Sequence, residues 1–80
     1  MHHVYILRSL PDPTQFYTGI TDDIQERLRH HNNGESTHTA KYRPWELVVC
    51  VSFIDRQKAQ AFERHLKSGS GRAFAAKHFR

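Results

Sequence analysis

Two short runs of strand-forming residues, separated by a turn with two prolines, limit the architectures open to this chain. The runs are HVYILRSL (residues 3–10) and FYTGI (residues 16–20), and both are rich in β-branched, aromatic and aliphatic side chains. The intervening PDPTQ indicates a turn, because proline fixes its own φ angle and lacks the N–H that a strand ladder uses. A connection this short joins antiparallel neighbours, so we predict an N-terminal β-hairpin.

A helix is predicted directly after the hairpin. Asp22 is the expected N-cap, with Asp23 in the first turn, and the helix is expected to end at about Asn33 because Gly34 supplies a stop. The segment ESTHTAKYRP (residues 35–44) is polar and is predicted to be a loop.

The second half of the chain predicts one strand and two helices. WELVVCVSFI (residues 45–54) is the longest apolar run, so we expect a central or well-covered strand. Asp55 is the expected cap of a helix from Arg56 to about Lys67. The segment SGSG (residues 68–71) is expected to break that helix, and RAFAAKHF (residues 72–79) to form the last one. The resulting order, ββαβαα, predicts a single small α+β domain over residues 1–80.

Composition narrows the class of function. No apolar run approaches the ~20 residues that a membrane span needs, and a single cysteine, Cys50, excludes an internal disulfide framework, so we expect a cytoplasmic protein with no membrane partner. The formal net charge is +4 and there are seven histidines. A small basic domain favours a polyanionic partner, most commonly nucleic acid.

Charged side chains interrupt the apolar stripes of two predicted helices. One helix face carries Ile24, Arg27, Leu28 and His31, which lie at i, i+3, i+4 and i+7 in that order. Glu63 lies on or beside the stripe of the later helix. Burying an unpaired charge costs several kcal/mol, so each charge needs a partner. Three explanations stay open: a structural ion pair between Arg27 and Glu63, snorkelling of the charged ends from the edge of the stripe, or a cleft in which both charges face a ligand or metal.

The hairpin register predicts that two tyrosines lie on one face of the sheet. A turn near Asp12 sets Tyr5 across from Gly19 and Leu7 across from Tyr17. Tyr5 and Tyr17 are then diagonal neighbours, about 7–8 Å apart. Gly19 interrupts a strand, which often indicates close backbone approach or room for a ligand.

These residues together resemble the GIY-YIG nuclease domain family. The two motif tripeptides correspond to Val4-Tyr5-Ile6 and Tyr17-Thr18-Gly19, and Arg27 and Glu63 follow on successive helices. The stretches YTGIT, AKYRPWELV and LKSGSGRAF are similar to the small stand-alone bacterial branch, which is often grouped with the nuclease domain of the excision-repair subunit UvrC. The resemblance covers nearly the whole chain and implies a three-stranded antiparallel sheet flanked by helices.

The resemblance also implies an activity and the residues that perform it. The family hydrolyses phosphodiester bonds with one divalent metal, usually Mg²⁺, for which Mn²⁺ is the expected substitute. By position, Glu63 resembles the family's metal-binding glutamate, Arg27 its essential arginine, and Tyr5 and Tyr17 its motif tyrosines. His31 resembles a histidine found in some members. Either Tyr17 or His31 is the expected base, with Tyr17 favoured over His31.

Basic residues outside this set are candidate contacts to backbone phosphates, although a solvated basic surface is an equal alternative for each. They are Arg8, Arg29, Lys41, Arg43, Lys67 and Arg72.

The sequence thus predicts a metal-dependent endonuclease that acts on single-stranded, branched or duplex DNA in repair or processing. A chain this short leaves little room for a specificity module, so we expect recognition of DNA structure rather than base sequence. The alternatives are a catalytically weak or inactive nucleic-acid-binding module and a protein-interaction domain. A homodimer or a repair-protein partner would enlarge the DNA footprint, and nothing in the sequence selects between them.

Overall fold

One three-stranded antiparallel sheet and four helices form the computed structural model, which describes all 80 residues. The α+β class and the flanked antiparallel sheet are as predicted. The order is ββααβαα, one short helix more than the sequence predicted. The elements are β1 (His2–Ser9), β2 (Phe16–Thr21), α1 (Ile24–Asn32), α2 (Thr37–Ala40), β3 (Trp45–Phe53), α3 (Arg56–Lys67) and α4 (Gly69–His78).

The hairpin register confirms the prediction made from the turn residues. Tyr5 pairs with Gly19 and Leu7 pairs with Tyr17 across β1 and β2. Asp12 organises the turn: its Oδ1 accepts from the backbone N–H and the hydroxyl of Thr14, at 3.2 and 2.6 Å. The turn therefore fixes which side chains share a face, and with them the position of both tyrosines.

The strand order corrects the expectation for the long apolar run. The order is β2-β1-β3, so β3 lies at an edge of the sheet and β1 lies at the centre. Most residues of β3 are only half-buried, and Leu47 is exposed. The prediction was wrong because run length does not decide position: β1 pairs on both sides and is covered on both faces.

Alternate side chains of β1 belong to two separate apolar clusters, as strand geometry requires. Val4 and Ile6 pack with Ala59 and Leu66 of α3 and with Ala75 of α4. On the opposite face, the cluster consists of Tyr5, Leu7 and Trp45, with Ile24 and Leu28 of α1 packed against it. The central strand is thus enclosed between α1 on one face and α3 with α4 on the other.

Two helix boundaries differ from the predictions. The N-cap of α1 is Asp23, not Asp22: its carboxylate accepts from the Glu26 N–H at 3.1 Å. Asp22 instead pairs with His2 Nδ1 at 2.7 Å. The SGSG segment is not a break of four residues, because Ser68 alone ends α3 and caps α4 by accepting from the Gly71 N–H at 3.1 Å.

The predicted polar loop contains the short helix α2, which is attached to the sheet by side-chain hydrogen bonds. Trp45 Nε1 donates to the Thr39 carbonyl at 2.9 Å, and Asn32 Oδ1 accepts from the Trp45 N–H at 2.6 Å. These contacts place Thr39 beneath α1, fully buried. No helix in the structure combines the length and the apolar character that crossing a bilayer requires.

Candidate active site

The two motif tyrosines meet over Gly19 at the β2 edge of the sheet. The ring centroids of Tyr5 and Tyr17 are 6.3 Å apart. A Cβ atom at position 19 would lie 2.5 Å from the Tyr5 hydroxyl oxygen and 3.0 Å from Cε2 of Tyr17. Tyr5 is only 2% exposed, so its ring has no room to withdraw. Gly19 is therefore required for close approach: it leaves open the space that the Tyr5 hydroxyl fills.

Gly19→Ala is expected to lower the free energy of unfolding by about 1–3 kcal/mol, because the added methyl group forces the Tyr5 ring out of its packed position. For a domain of this size, each kcal/mol corresponds to a Tm decrease of about 4–8 °C. Gly69→Ala is the matched control, since nothing lies within 4 Å of a Cβ there. Thermal unfolding followed by circular dichroism measures both, and equal Tm values would contradict the packing role.

His31 connects Tyr5 to the short helix α2 through both ring nitrogens. Its Nε2 lies 2.9 Å from the Tyr5 hydroxyl, and its Nδ1 lies 2.7 Å from Oγ1 of Thr39. The imidazole is 1% exposed, and its centroid lies 4.9 Å from that of Tyr17. The prediction that α1 directs His31 inward is confirmed, and both of its nitrogens have protein partners.

The environment holds Tyr5 and His31 in their neutral forms. Burial raises the pKa of the Tyr5 hydroxyl well above its ordinary range; the nearby Tyr17 and Glu63 add to this, while Arg27 opposes it. Burial also lowers the pKa of His31, and the positive charges of Arg27 and His30 lower it further. The protonated Tyr5 hydroxyl then donates to Nε2 of His31, which leaves the imidazole proton on Nδ1, donated to Thr39.

His31 also predicts how stability depends on pH. Because its folded pKa is depressed, the unfolded chain binds a proton more readily as the pH falls below about 6.5. The stabilisation is therefore present above about pH 6.5 and is lost as the pH falls toward the folded pKa. We expect the unfolding free energy of His31→Gln to decline less between pH 7 and 5 than that of the wild type. Urea titrations at several pH values test this, with the exposed His38→Gln as control; equal declines in all three proteins would contradict it.

Arg27 lies at the surface rather than in the interior. It is exposed and lines a cavity of about 280 Å³ together with Arg56 and Gln60 of α3. Its charge nevertheless acts on both Tyr5 and His31, lowering the pKa of each. None of the ion pairs in the structure involves Arg27, so the ion-pair explanation for this arginine and Glu63 is wrong.

Glu63 projects from the middle of α3 and is largely covered, with a side chain 18% exposed. Its Oε2 accepts from Lys67 Nζ at 2.9 Å, one helical turn away. The carboxylate is close enough to Tyr5 to raise the pKa of that hydroxyl. The structure thus brings Glu63 to the same region as Tyr5, Tyr17, Arg27 and His31, although these residues come from four different elements.

The donor set around Glu63 fits a hard divalent cation. No group of three His, Cys, Asp or Glu side chains converges anywhere in the structure, which does not match a zinc site built from protein ligands. Mg²⁺ is usually held by one or two carboxylates and completes its shell with water and phosphate oxygens. A single, largely covered carboxylate beside tyrosine hydroxyls is compatible with that arrangement.

The predicted phosphate contacts fall into two groups. Three cations have carboxylate partners: Arg8 Nε donates to Glu46 at 2.8 Å, Arg29 Nε to Glu26 at 3.1 Å, and Lys67 pairs with Glu63. The others have none. Lys41 Nζ lies 5.5 Å from the Tyr42 ring centroid, Arg43 Nη1 donates to the Ala40 carbonyl at 3.0 Å, and Arg72 lines a cavity beside β2.

Some residues of this region were missed by sequence reasoning. Thr39 was placed in a loop, and no periodicity in the sequence relates it to His31. Arg56 and Arg80 are not among the sequence-predicted contacts, yet each lines a cavity next to the tyrosines or Arg27. Gly19 was singled out in advance, because a glycine inside a strand is a usable signal.

Comparison with known proteins agrees with this arrangement. Residues 1–77 match the model for the GIY-YIG catalytic domain. The chain belongs to the GIY-YIG family of nucleases. The match covers almost the whole of this GIY-YIG domain, including both tyrosines, Arg27, His31 and Glu63.

Two kinds of relatives share this domain. The structure-specific endonuclease subunit SLX1 of Debaryomyces hansenii is 42% identical over 81% of this chain and 23% of its own length. A UPF0213 protein of Haloquadratum walsbyi is 37% identical over 84% of this chain and 74% of its own length. The chain spans about a quarter of the SLX1 proteins that it matches.

A solved structure supports the fold. The solution NMR structure of a UPF0213 protein from Bacillus halodurans superimposes with a TM-score of 0.57 at 28% identity, covering 95% of this chain and 82% of that one. The predicted GIY-YIG architecture is therefore confirmed.

Proposed function

We propose that this GIY-YIG domain is a metal-dependent endonuclease that hydrolyses DNA phosphodiester bonds. One observation carries the proposal: Tyr5 and Tyr17 meet over Gly19, and the charges of Arg27 and Glu63 both act on the Tyr5 hydroxyl. The relatives that are named structure-specific endonuclease subunits support DNA as the substrate and processing or repair as the setting.

Each chemical requirement of the reaction has a candidate residue. Arg27 offers planar donors to the non-bridging oxygens, where negative charge accumulates in the transition state. Glu63 would hold Mg²⁺ or Mn²⁺, which polarises a phosphate oxygen and stabilises the departing alkoxide. Lys67 now contacts one oxygen of Glu63, so cation binding would compete with this ion pair, whose lysine is half exposed.

The geometry favours Tyr17 over His31 as the group that orients the attacking water and that, in its phenolate form, would accept the proton of that water. Both nitrogens of His31 have protein partners and the ring is buried, so it has no free position for a water. Tyr5 is buried and keeps its proton. Tyr17 is partly exposed and lines a cavity. Tyr5 and His31 then act together as a rigid support that positions Tyr17.

Recognition of DNA structure rather than sequence is supported by the relatives that are named structure-specific endonuclease subunits. A cytoplasmic location and any partner subunit stay predictions.

Cleavage of labelled single-stranded, duplex and branched DNA in Mg²⁺ tests the proposal. We expect cleavage whose position follows the branch or the single-stranded segment and is independent of sequence around it. Salt-sensitive binding of every substrate with no cleavage would overturn the nuclease assignment and favour a binding module.

A further inference from the structure

We propose that the cavity between β2 and the helices α3 and α4 is a subsite for the phosphate backbone of the DNA strand on one side of the scissile bond. The inference rests on the proposed nuclease function and adds where the strand runs. The cavity measures about 420 Å³. Its cationic members are Lys67, Arg72 and Arg80, and no acidic side chain lines it.

Two of these cations have no carboxylate partner. Lys67 pairs with Glu63, whereas neither Arg72 nor Arg80 takes part in any ion pair of the structure. Elsewhere, Arg8 and Arg29 are each neutralised by a glutamate. Two unneutralised guanidiniums around one cavity repel each other, and a phosphate would relieve that repulsion while accepting their hydrogen bonds.

Arg80 is exposed, but its guanidinium contacts two residues of the cavity wall. Its guanidinium carbon lies 4.4 Å from the ring centroid of Phe16, a cation–π contact. Its Nη2 donates to the carbonyl of Arg72 at 3.3 Å. A guanidinium that is already positioned loses less side-chain entropy when it binds an anion, so this contact favours binding.

The cavity opens directly beside the catalytic residues. Tyr17 lines it, and the Tyr17 ring lies 4.9 Å from the His31 ring. Lys67 connects the cavity to Glu63, its partner at 2.9 Å. A phosphate in the cavity would therefore neighbour a phosphate at the reactive centre.

A second cavity, lined by two arginines and by one carboxylate, that of Asp22, lies at the other end of α3. Arg56 and Gln60 line it together with Arg27, whereas Lys67 lines the first cavity and Glu63 lies between them in sequence. The helix has 12 residues and is roughly 18 Å long, enough for several consecutive phosphates. We therefore expect one DNA strand to follow α3, with Arg72 and Arg80 on one side of the scissile phosphate and Arg56 on the other.

Binding of a short mixed-sequence DNA strand in chelator, measured by fluorescence anisotropy at several salt concentrations, tests the subsite. Arg72→Gln is expected to weaken binding several-fold and to flatten the plot of log K against log salt by about 0.7 to 1. The matched control is Arg64→Gln, which removes the same charge from an exposed position on α3 outside every cavity. Equal effects of the two substitutions would overturn the proposal.

A scan with single methylphosphonates, which remove one backbone charge at a time, makes the test specific. In the wild type, one or two positions on one side of the cleavage point should weaken binding. In Arg72→Gln, a methylphosphonate at those same positions should cause no further loss of affinity. The guanidinium and the phosphate that it contacts form one interaction, which the substitution has already removed. Undiminished losses in Arg72→Gln at every position would refute the subsite.

The outcomes separate the two proposals. If the effects of Arg72→Gln and of the methylphosphonates on affinity are independent while metal-dependent cleavage is intact, the subsite is overturned and the nuclease assignment stands. If the two effects on affinity depend on each other but the wild type cleaves no DNA, the strand path stands and the nuclease assignment is overturned.

Discussion

Glu63→Gln is expected to reduce metal-dependent DNA cleavage by about 10³-fold or more. The amide keeps the shape of the side chain but removes the charge that holds the cation, and metal stabilisation of the transition state amounts to several kcal/mol. Single-turnover cleavage of the preferred DNA substrate measures the effect. Binding of Mn²⁺, followed by electron paramagnetic resonance, should be lost in parallel.

Glu26→Gln is the matched control for this change. Glu26 also pairs with a basic residue on its own helix, Arg29, but does so at the exposed surface of α1. Gln keeps the shape of the side chain at both positions, and both basic partners reach solvent, so both variants should unfold close to the wild-type Tm. Retained cleavage and Mn²⁺ binding in Glu63→Gln would show that another residue holds the metal.

Arg27→Ala is expected to lower kcat by about 10² to 10³-fold, the usual effect of removing one positioned donor from a developing oxyanion. The guanidinium is exposed and has no carboxylate partner, so its removal should leave the fold intact. Steady-state kinetics separates kcat from KM, and the larger change is expected in kcat. Arg27→Lys should recover only part of the loss, because a point charge does not reproduce the planar fork.

The control for Arg27 lies two residues away on the same helix. Arg29→Ala removes an equal charge from an exposed position paired with Glu26, and we expect little change in kcat. If both arginine variants lost the same activity, or if Arg27→Ala raised only KM, Arg27 would be a general electrostatic contact instead of a group that stabilises the transition state.

The hairpin shows how much of the site local sequence determines. The proline-containing turn fixed the register of β1 and β2, and the register placed Tyr5 over Gly19 and beside Tyr17. Helix periodicity likewise placed His31 inward. These predictions succeeded because turn chemistry and side-chain alternation act over a few residues.

Contacts between residues that are distant in sequence could not be predicted from such patterns. Thr39 reaches His31 because Trp45 of β3 bonds both α2, through its indole N–H, and Asn32 of α1, through its backbone, a tertiary arrangement with no periodic signature. β3 lies at the edge of the sheet because β1 is the strand that pairs with both of the others, and the hydrophobicity of β3 does not determine this. Arg27 shares a stripe with His31, yet its longer side chain reaches the surface, and the stripe alone does not distinguish these two positions.

Reversible metal dependence of DNA cleavage by the wild-type protein is the decisive test of a nuclease whose metal is held by Glu63. The protein is incubated with labelled DNA in Mg²⁺, then with excess chelator, and then with Mg²⁺ restored, with Glu63→Gln purified and treated in parallel. We predict that cleavage by the wild type stops in chelator and resumes with Mg²⁺, and that the variant does not cleave under any of these conditions. Cleavage that continues in chelator, or that is equal in the two proteins, would contradict it.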